Sequence, residues 1–499
     1  MEVQFRNDGL NCLREVVCEV KNEEQTQEVK LPDAMPDIGK VLCSWGQVLL
    51  RGKEWRGSGM SVSGGVMAWV LYMPEGETEP RTVETWIPFH IRWDFPQTDR
   101  DGAILAEALL KSIDARSVSA RKLMVRAVVS VAGCALEPMV AEVFAPDTVP
   151  EDVHLLRRSY PMQIPSESGE KIFNLDEELP LPASCQNPRR LLRYSMNPEI
   201  TDQKIMADKV VFRGTAHIRI LCKCDDESLR SCDLEIPFSQ YGDLEREYDP
   251  NATARIIPAM TNLDMELQEN GMLRIKAGLV GQYLICEQKL LEVVQDAYSP
   301  NRPVKLRTAQ LQIPSALEQK QETVQAEQLL EGIQGELLDV FCMAEHPRID
   351  RREENADLEL LGAFQTLYYD EEGNLAGGNV RWSQERRMDM PQDAKLTASC
   401  HLNGLPQGEP GMGGIQMRMN MTLNTTVTAD AGVPMVTGLE LGETVPPAAD
   451  RPSLILRRVG DESLWDMAKL YGSTEDAIRK ANGLTDDPTP GQILIIPVA

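Results

Sequence analysis

The feature that most constrains the fold is an internal repeat of about 150 residues. The segment LPDAMPDIGKVL (Leu31–Leu42) lines up with LPASCQNPRRLL (Leu181–Leu192), and an alternating apolar run follows each segment. These runs are Val62–Tyr72 and Val211–Leu221, and a third run of the same kind is Glu359–Tyr369. Alternation with period two and many β-branched residues predicts strands with one buried face. The chain is therefore expected to be a series of similar β modules.

Other short patterns recur in the same order. Ile87-Pro88-Phe89 matches Ile236-Pro237-Phe238 but has no counterpart in the third unit. A glycine lies inside each alternating run, and we align Gly65, Gly214 and Gly362. Each unit closes with a further alternating run: Arg121–Gly133, Gly271–Ile285 and Gly413–Val427. Each module is therefore predicted to be mainly β, with at most one short helix.

Pro-rich joints at Ala145–Asp152, Tyr298–Pro303 and Glu443–Pro452 separate the units. Proline without a periodic apolar pattern favours extended linkers. The predicted fold class is a mainly β multi-domain protein with three repeated β-rich modules and a small α+β domain. The predicted domains are module 1 (1–145), module 2 (146–300), a diverged module 3 (301–445) and a C-terminal domain (451–499).

The last fifty or so residues have a different pattern, typical of a single small domain. Leu454–Leu456 is predicted to be a strand, and Leu464, Met467, Ala468 and Tyr471 mark one helix face. Gly472 is a natural helix stop, and Ser473 is placed to cap a second helix. Gln492–Pro497 is a second strand, so the predicted order is strand, helix, helix, strand.

The charge balance narrows the classes of partner. The 499 residues include 51 basic and 77 acidic side chains, a net charge of −26. Such a polyanion repels phosphate backbones, so nucleic acid is not expected as a partner. No apolar run of about 18 residues is present, so no transmembrane segment is expected. The N-terminus lacks the layout of a secretory signal, which predicts a cytosolic protein.

No motif of catalysis, phosphate binding or metal binding is complete. None of the five histidines lies in a nucleophile motif, and no glycine-rich phosphate loop is present. Cys222, Cys224 and Cys232 form a cluster, but a zinc site needs four ligands and a fourth is not evident. We therefore predict no catalytic residue, cofactor or metal, and interpret the cysteines as buried thiols. Whether these three cysteines bind metal stays open.

The C-terminal residues resemble a LysM domain. The resemblance rests on Leu464–Lys469, Tyr471-Gly472, Ala481–Leu484, Pro490–Gln492 and Ile495–Pro497. The family usually has Gly-Asp before the Ser-Leu-Trp stretch, whereas this chain has Asp461-Glu462 there. The resemblance implies a groove between the loops Gly460–Ser463 and Gly483–Pro490. The candidate partner-binding or glycan-binding residues are Gly460, Asp461, Glu462, Ser463, Trp465, Gly483, Leu484 and Pro490.

Trp465 and the acidic loops suggest what this groove binds. Trp465 lies one residue off the stripe of Leu464 and Met467, so we expect part of its ring to face outward. It then either packs on the second helix as a rim residue or contacts a partner protein. The loops also carry Asp461, Glu462, Asp486 and Asp487, which favour a basic protein surface over a neutral sugar.

The upstream modules resemble the SPOCS domain of spore-coat proteins. The match begins at Leu31-Pro32 and Pro36-Asp37-Ile38. Several SPOCS units followed by LysM are similar to the SipL family of spore-coat morphogenetic proteins. The resemblance implies a non-enzymatic scaffold in the mother-cell cytoplasm, at the forespore surface, with the coat-basement ATPase SpoIVA as partner. The alternative is a wall protein that binds peptidoglycan or chito-oligosaccharides, which would need export.

Overall fold

Long antiparallel strands dominate the computed structural model, which describes residues 2–98, 100–185, 187–311, 313, 315–331, 335–429, 432–445 and 451–498. The predicted mainly β fold class is confirmed, and the described residues include two helices, both near the C-terminus. Within these ranges no helix combines the length and the apolar character needed to span a bilayer.

Module 1 contains two antiparallel three-stranded sheets. Its strands are β1 (Glu2–Val3), β2 (Phe5–Asn7), β3 (Leu10–Lys30), β4 (Ile38–Trp55), β5 (Gly59–Pro74), β6 (Arg81–Asp94), β7 (Ala103–Ser119), β8 (Lys122–Ala141) and β9 (Phe144–Pro146). One sheet has the order β3-β8-β7, so the long first strand pairs with the last long strand. The other sheet is the meander β4-β5-β6. The short strands β2 and β9 extend the pairing of β3 with β8.

Module 2 repeats this arrangement. It contains β10 (His154–Pro180), a short 3-10 turn (Ala183–Cys185), β11 (Pro188–Met206), β12 (Lys209–Cys224), β13 (Leu229–Asp243), β14 (Thr253–Leu267) and β15 (Met272–Tyr298). Its sheets are β10-β15-β14 and β11-β12-β13. The order of pairing is therefore the same as in module 1.

Module 3 has the same two-sheet arrangement, but some of its strands are divided into shorter ones. Its strands are β16 (Val304–Leu311), β17 (Ser315–Glu331), β18 (Glu336–Ala344), β19 (Arg348–Arg351), β20 (Asn355–Tyr369), β21 (Leu375–Asp389), β22 (Ala394–Gly411), β23 (Gly414–Ala429) and β24 (Val433–Leu441). One sheet is β17-β23-β22, and in the other β20 pairs with β18, β19 and β21. The strand β24 pairs with β16 and also with β1, which joins the start of the chain to module 3.

The alternation of residues explains how the two sheets of a module close on each other. Along β6, Val83, Ile87 and Phe89 are buried, whereas the intervening Glu84 and His90 are exposed. The buried faces of β5, β6 and β8 meet in one core. Modules 2 and 3 have corresponding cores built on β12 with β15 and on β20 with β23.

A glycine beneath an aromatic ring is common to the three modules. Gly64 lies opposite Phe89, Gly214 opposite Phe238 and Gly362 opposite Trp382. In each case an added Cβ would lie within 2.3 Å of a carbonyl oxygen on the preceding strand. The sequence alignment was therefore wrong by one residue in module 1, where Gly64 and not Gly65 is the equivalent. Trp382 supplies the ring that the missing Ile-Pro-Phe of module 3 would have provided.

We expect Gly214→Ala to destabilise module 2 by about 1–3 kcal/mol, because overpacking forces the neighbours apart. The new Cβ would lie 2.2 Å from the carbonyl oxygen of Glu199 and 2.4 Å from the Phe238 ring. The matched control is Gly411→Ala, where no heavy atom lies closer than 3.7 Å. Denaturant unfolding followed by fluorescence measures both variants. Equal midpoints for the two would show that the ring does not require glycine beneath it.

The three modules meet at a buried ion pair. Arg193 of module 2 binds Asp339 of module 3, and their side chains are only 1% and 0% exposed. The Arg193 guanidinium stacks between Trp45 of module 1, at 5.1 Å, and Phe341, at 5.2 Å. Ser195 accepts a further hydrogen bond from this guanidinium at 3.2 Å. One arginine therefore contacts residues from all three modules.

The joints between the modules are bonded to one another. Asp152 of the first joint accepts hydrogen bonds from Ser299, at 2.9 Å, and Arg302, both in the second joint. The Val445 amide at the start of the third joint donates to the Asn301 carbonyl at 2.9 Å. Residues 446–450 of that third joint lie outside the described residues. The described parts of the predicted extended linkers are thus tied together, and the domain boundaries themselves stay a prediction.

Candidate functional site

The C-terminal domain folds in the predicted order, β25 (Leu454–Arg458), α1 (Leu464–Tyr471), α2 (Glu475–Asn482) and β26 (Ile493–Pro497). Ser463 caps α1 in a capping box with Asp466, and Gly472 ends the helix with φ 61°. Thr474 caps α2. The prediction that Ser473 is this cap was wrong, because Ser473 is buried and the chain enters the helix one residue later.

Backbone hydrogen bonds join one loop of the predicted groove to the segment that follows the other. The Val459 amide donates to the Gln492 carbonyl and the Gly491 amide donates to the Val459 carbonyl, both at 2.8 Å. Gly460, Ser463, Gly483 and Pro490 are exposed, whereas Leu484 is half-buried against the core. The structure thus places Gly460 and Pro490 on neighbouring segments, and their role in binding stays a prediction.

Two of the four acidic side chains in these loops are paired with an arginine of the same domain. Glu462 accepts hydrogen bonds from the Gly460 amide, at 3.0 Å, and from Arg457, at 2.8 Å. Bonding to Arg457, followed by the backbone hydrogen bonds, lowers the pKa of Glu462. Asp487 is paired with Arg479. Asp461 and Asp486 point to solvent, so they are the loop carboxylates best placed for a basic partner.

Trp465 does not face outward as the sequence predicted. Its side chain is only 6% exposed, because α1 lies against the end of β15 in module 2. The indole Nε1 donates to Asp296 Oδ2 at 2.8 Å, and the ring meets Tyr298 edge-on with centroids 4.8 Å apart. The Trp465 ring is therefore buried between the C-terminal domain and module 2. Its position relative to the apolar stripe of α1 could not reveal this, because the contact is with a distant strand.

Three contacts hold this interdomain interface, which we call the docking joint. Asp296 accepts from Trp465 and forms an ion pair with Lys469, at 2.7 Å. The Tyr298 hydroxyl donates to the Ser473 carbonyl at 3.0 Å. Sequence analysis missed Asp296 and Tyr298, since they end an ordinary strand and carry no motif. The docking joint fixes the orientation of the C-terminal domain relative to module 2.

The strands β25 and β26 pair although both helices lie between them in sequence, and their two-stranded sheet has an apolar outer face, which we call the hairpin face. Its four side chains alternate with the half-buried Ile455 and with the buried Leu494 and Ile496. They are Leu454, Leu456, Ile493 and Ile495, which are 60%, 73%, 60% and 38% exposed. Contiguous exposed apolar patches of this kind mark interaction sites. Sequence analysis identified these strands but did not single out their outer face.

A central cavity of about 1480 Å³ lies between the modules. Each module lines it with equivalent strands: β4 and β7, β11 and β14, and β18 and β22. Charged and polar side chains project into it, including Arg255, Glu107, His401 and Lys395. It is therefore a shared space between the three modules.

A carboxylate and two imidazoles connect modules 1 and 3 at this cavity. Glu107 Oε1 lies 2.6 Å from His401 Nδ1, and its carbonyl oxygen lies 3.2 Å from His346 Nε2. Burial raises the pKa of Glu107, but His401, His346 and Arg255 together lower it further, to about 2. Burial lowers the pKa of His346. The cluster therefore favours an ionised Glu107 and a neutral His346.

We expect acid to weaken this contact. Both folded pKa values are depressed from their ordinary values of 4.5 for Glu107 and 6.5 for His346. Stability from such groups is present above the ordinary pKa and is lost as pH falls through the folded pKa. The free energy of unfolding should therefore fall as pH drops below 6.5. In Glu107→Gln, the free energy of unfolding should depend less on pH between 4.5 and about 2. An unchanged slope in this variant would contradict the assignment.

Four cysteines of module 2 lie next to one another. Cys185, in the 3-10 turn, joins the three that the sequence showed, and its sulfur lies 3.7 Å from that of Cys222. Cys185 also contacts Cys232, and Cys222 contacts Cys224. All four are buried. In module 1 the same turn is held by the Tyr72 hydroxyl, which donates to the Pro36 carbonyl at 3.0 Å. The comparison favours a structural role, and the interpretation as buried thiols stays a prediction.

Two family models match the chain. The model described as the SipL, SPOCS domain matches residues 188–268, which hold β11 to β14 of module 2. The model of the LysM domain matches residues 459–497. A search of curated proteins and a search of solved structures gave no significant match.

The LysM match lies where the sequence resemblance placed it, and the SPOCS match lies in one of the three modules that the resemblance covered. SPOCS and LysM are non-catalytic binding domains, and their combination fits a sporulation-related, peptidoglycan-binding scaffold. The match to SPOCS lies in module 2, and modules 1 and 3 share its order of strand pairing. The chain thus contains one region in module 2 that matches the SipL, SPOCS domain and one region at its C-terminus that matches the LysM domain.

Proposed function

We propose that this protein is a non-enzymatic scaffold of spore-coat assembly that tethers a SpoIVA-type coat-basement ATPase at the forespore surface. The observation that carries the proposal is the hairpin face, which the fold leaves uncovered on the LysM domain. The family resemblance supplies the partner, and the mother-cell cytoplasm is the proposed location.

The chemistry of the hairpin face suits a protein partner. Leu456 and Ile495 are directly opposite each other on the paired strands β25 and β26, and Leu454 and Ile493 extend the patch on either side. Burying an exposed leucine contributes about 1.5–3 kcal/mol, and the buried centre of a protein interface is typically apolar. Asp461 and Asp486 lie on the loops of the same domain and would steer a basic partner surface by long-range attraction.

The SPOCS modules support the scaffold role through their rigidity. The Arg193–Asp339 ion pair and the tied joints hold the modules in one arrangement, and the docking joint fixes the LysM domain on module 2. A rigid support reduces the entropy that is lost when a partner binds. The hairpin face is therefore presented in a set orientation.

Pull-down of a purified SpoIVA-type ATPase by the full chain tests the proposal. Leu456→Glu should reduce capture at least tenfold, because it places a charge in the centre of the apolar contact. The matched control is Leu470→Glu, which changes an equally exposed leucine on the outer side of α1. Equal loss in both variants, or in neither, would contradict docking through the hairpin face.

The second candidate function is binding of peptidoglycan or chito-oligosaccharides, which the LysM match favours. In that case the predicted groove at Gly460–Ser463 and Gly483–Pro490 is the site, and the hairpin face has no role. Titration of the full chain with chito-oligosaccharides separates the two. Binding that Leu456→Glu leaves unchanged would favour the glycan.

A further inference from the structure

Cys18 and Cys134 lie directly opposite each other on the paired strands β3 and β8. A β-bulge between Glu15 and Val17 adds one residue, so Glu15 and Cys18 share a face although they are three residues apart. The reactive atoms of Glu15, Cys18 and Cys134 all lie within 4.8 Å of one another. The two cysteines therefore form a close dithiol pair.

The pair opens onto the central cavity. Cys18 is exposed and Cys134 is half-buried, and both line the cavity. Most of the other cysteines are buried, including Cys222 and Cys185 in module 2. Cys286 of module 2 is half-buried and lines the same cavity, so it offers an internal comparison.

Cationic side chains from the other two modules face this pair. Lys395 of module 3 forms an ion pair with Glu15, and Arg255 of module 2 lines the cavity nearby. The hydrogen bond from Cys134 lowers the pKa of Cys18 most, and Lys395 and Arg255 lower it further. The same pairing raises the pKa of Cys134. The two thiols thus differ, and Cys18, which is exposed whereas Cys134 is half-buried, is the one placed to attack.

We propose that Cys18 and Cys134 form a thiol–disulfide exchange site for a small disulfide of the glutathione class, with Cys18 attacking and Cys134 resolving. Directly opposite residues in an antiparallel pair have Cα atoms about 4.5–5.5 Å apart, within the range that a disulfide spans.

The exchange balances in two steps. The Cys18 thiolate attacks one sulfur of the small disulfide, whose S–S bond breaks and releases one thiolate, which takes up the proton that Cys18 gave to solvent. Cys134 then loses its proton and attacks Cys18 Sγ, and this attack expels the second thiolate of the small disulfide. The expelled thiolate takes up the proton that Cys134 lost. The two cysteines are oxidised to a disulfide, and the small disulfide is reduced to two thiols.

A divalent metal is the other ligand that this cluster suggests. Glu15, Cys18 and Cys134 offer three ligand atoms. The Glu15 carboxylate, however, is already ion-paired with the Lys395 ammonium group. A cation at this place would be repelled by Lys395 and Arg255. The charges therefore favour thiolate chemistry over metal binding.

The test treats the reduced full chain with oxidised glutathione and maps the products by mass spectrometry. The unmodified chain should lose the mass of two hydrogen atoms and yield a peptide pair linked between Cys18 and Cys134. Cys134→Ser should trap glutathione on Cys18, whereas Cys18→Ser should block the linkage. The matched control, Cys286→Ser, should behave as the unmodified chain.

Lys395→Gln adds a second readout, because a cation beside a thiol raises its thiolate fraction. We expect Cys18 to react about threefold more slowly, or slower still, in this variant at neutral pH. The proposal is overturned if Cys18 and Cys286 react equally in the unmodified chain, or if Cys134→Ser traps nothing on Cys18. It is also overturned if the reduced chain holds stoichiometric zinc that Cys18→Ser loses.

Discussion

Replacing Asp339 by alanine should lower the free energy of unfolding by about 3–5 kcal/mol, because the change leaves a buried arginine without its counter-charge. Arg193 is enclosed by Trp45 and Phe341 and has no access to water. Ser231 also donates to Asp339, at 3.2 Å, so the variant leaves a second polar group without its partner. Denaturant unfolding of the full chain measures the loss.

Two matched variants keep this prediction specific. Asp114→Ala removes an ion pair with Arg126 whose side chains are about half exposed, and should cost at most about 1 kcal/mol. Replacing Arg193 and Asp339 together by Met and Leu should restore much of the loss, since the uncompensated charge is gone. If Asp339→Ala lowers the free energy of unfolding no more than Asp114→Ala does, the Arg193–Asp339 ion pair does not hold the modules together.

Trp465→Ala should release the LysM domain from module 2 and destabilise it by about 3–5 kcal/mol, the usual cost of truncating a buried tryptophan. An outward-facing ring, as expected from the sequence, would leave the domain folded in this variant. The observed ring instead packs on Tyr298, and its indole nitrogen donates to Asp296. Hydrogen exchange of α1 and of the end of β15 measures the release.

Trp465→Phe is the conservative variant, which keeps the ring packing and loses the hydrogen bond to Asp296. It should show a smaller effect of about 0.5–1.5 kcal/mol, the usual net contribution of one hydrogen bond, since Asp296 loses the indole donor but keeps Lys469. Leu470→Ala, at an exposed position of the same helix, is the control and should change little. Unchanged exchange at the end of β15 in Trp465→Ala would show that the docking joint does not form in solution.

The sequence predicted features that depend on local periodicity. Alternation in segments such as Val62–Tyr72 identified strands because every second side chain must enter the core between two sheets. The cap at Ser463 and the stop at Gly472 followed from local helix chemistry, and the structure confirms the strand, helix, helix, strand order. The LysM match at 459–497 lies within the C-terminal segment that this order marks.

Contacts between residues that are far apart in the chain could not be predicted from the sequence. Asp296 and Trp465 are 169 residues apart, and Arg193 and Asp339 are 146 apart, so no local spacing connects them. Cys185 was missed as the neighbour of Cys222 because a turn, and not a motif, brings it there. The glycine alignment was wrong by one residue because two adjacent glycines, Gly64 and Gly65, fit the same alternating run.

In the proposed function, the full chain is a scaffold that binds a protein through the hairpin face. The most direct measurement is a side-by-side titration of the immobilised full chain with a purified SpoIVA-type ATPase and with chito-oligosaccharides, each repeated with Leu456→Glu. We predict saturable binding of the ATPase that Leu456→Glu weakens at least tenfold, with weaker binding of the sugars. Tight binding of the sugars with no saturable binding of the ATPase would contradict the proposed scaffold role.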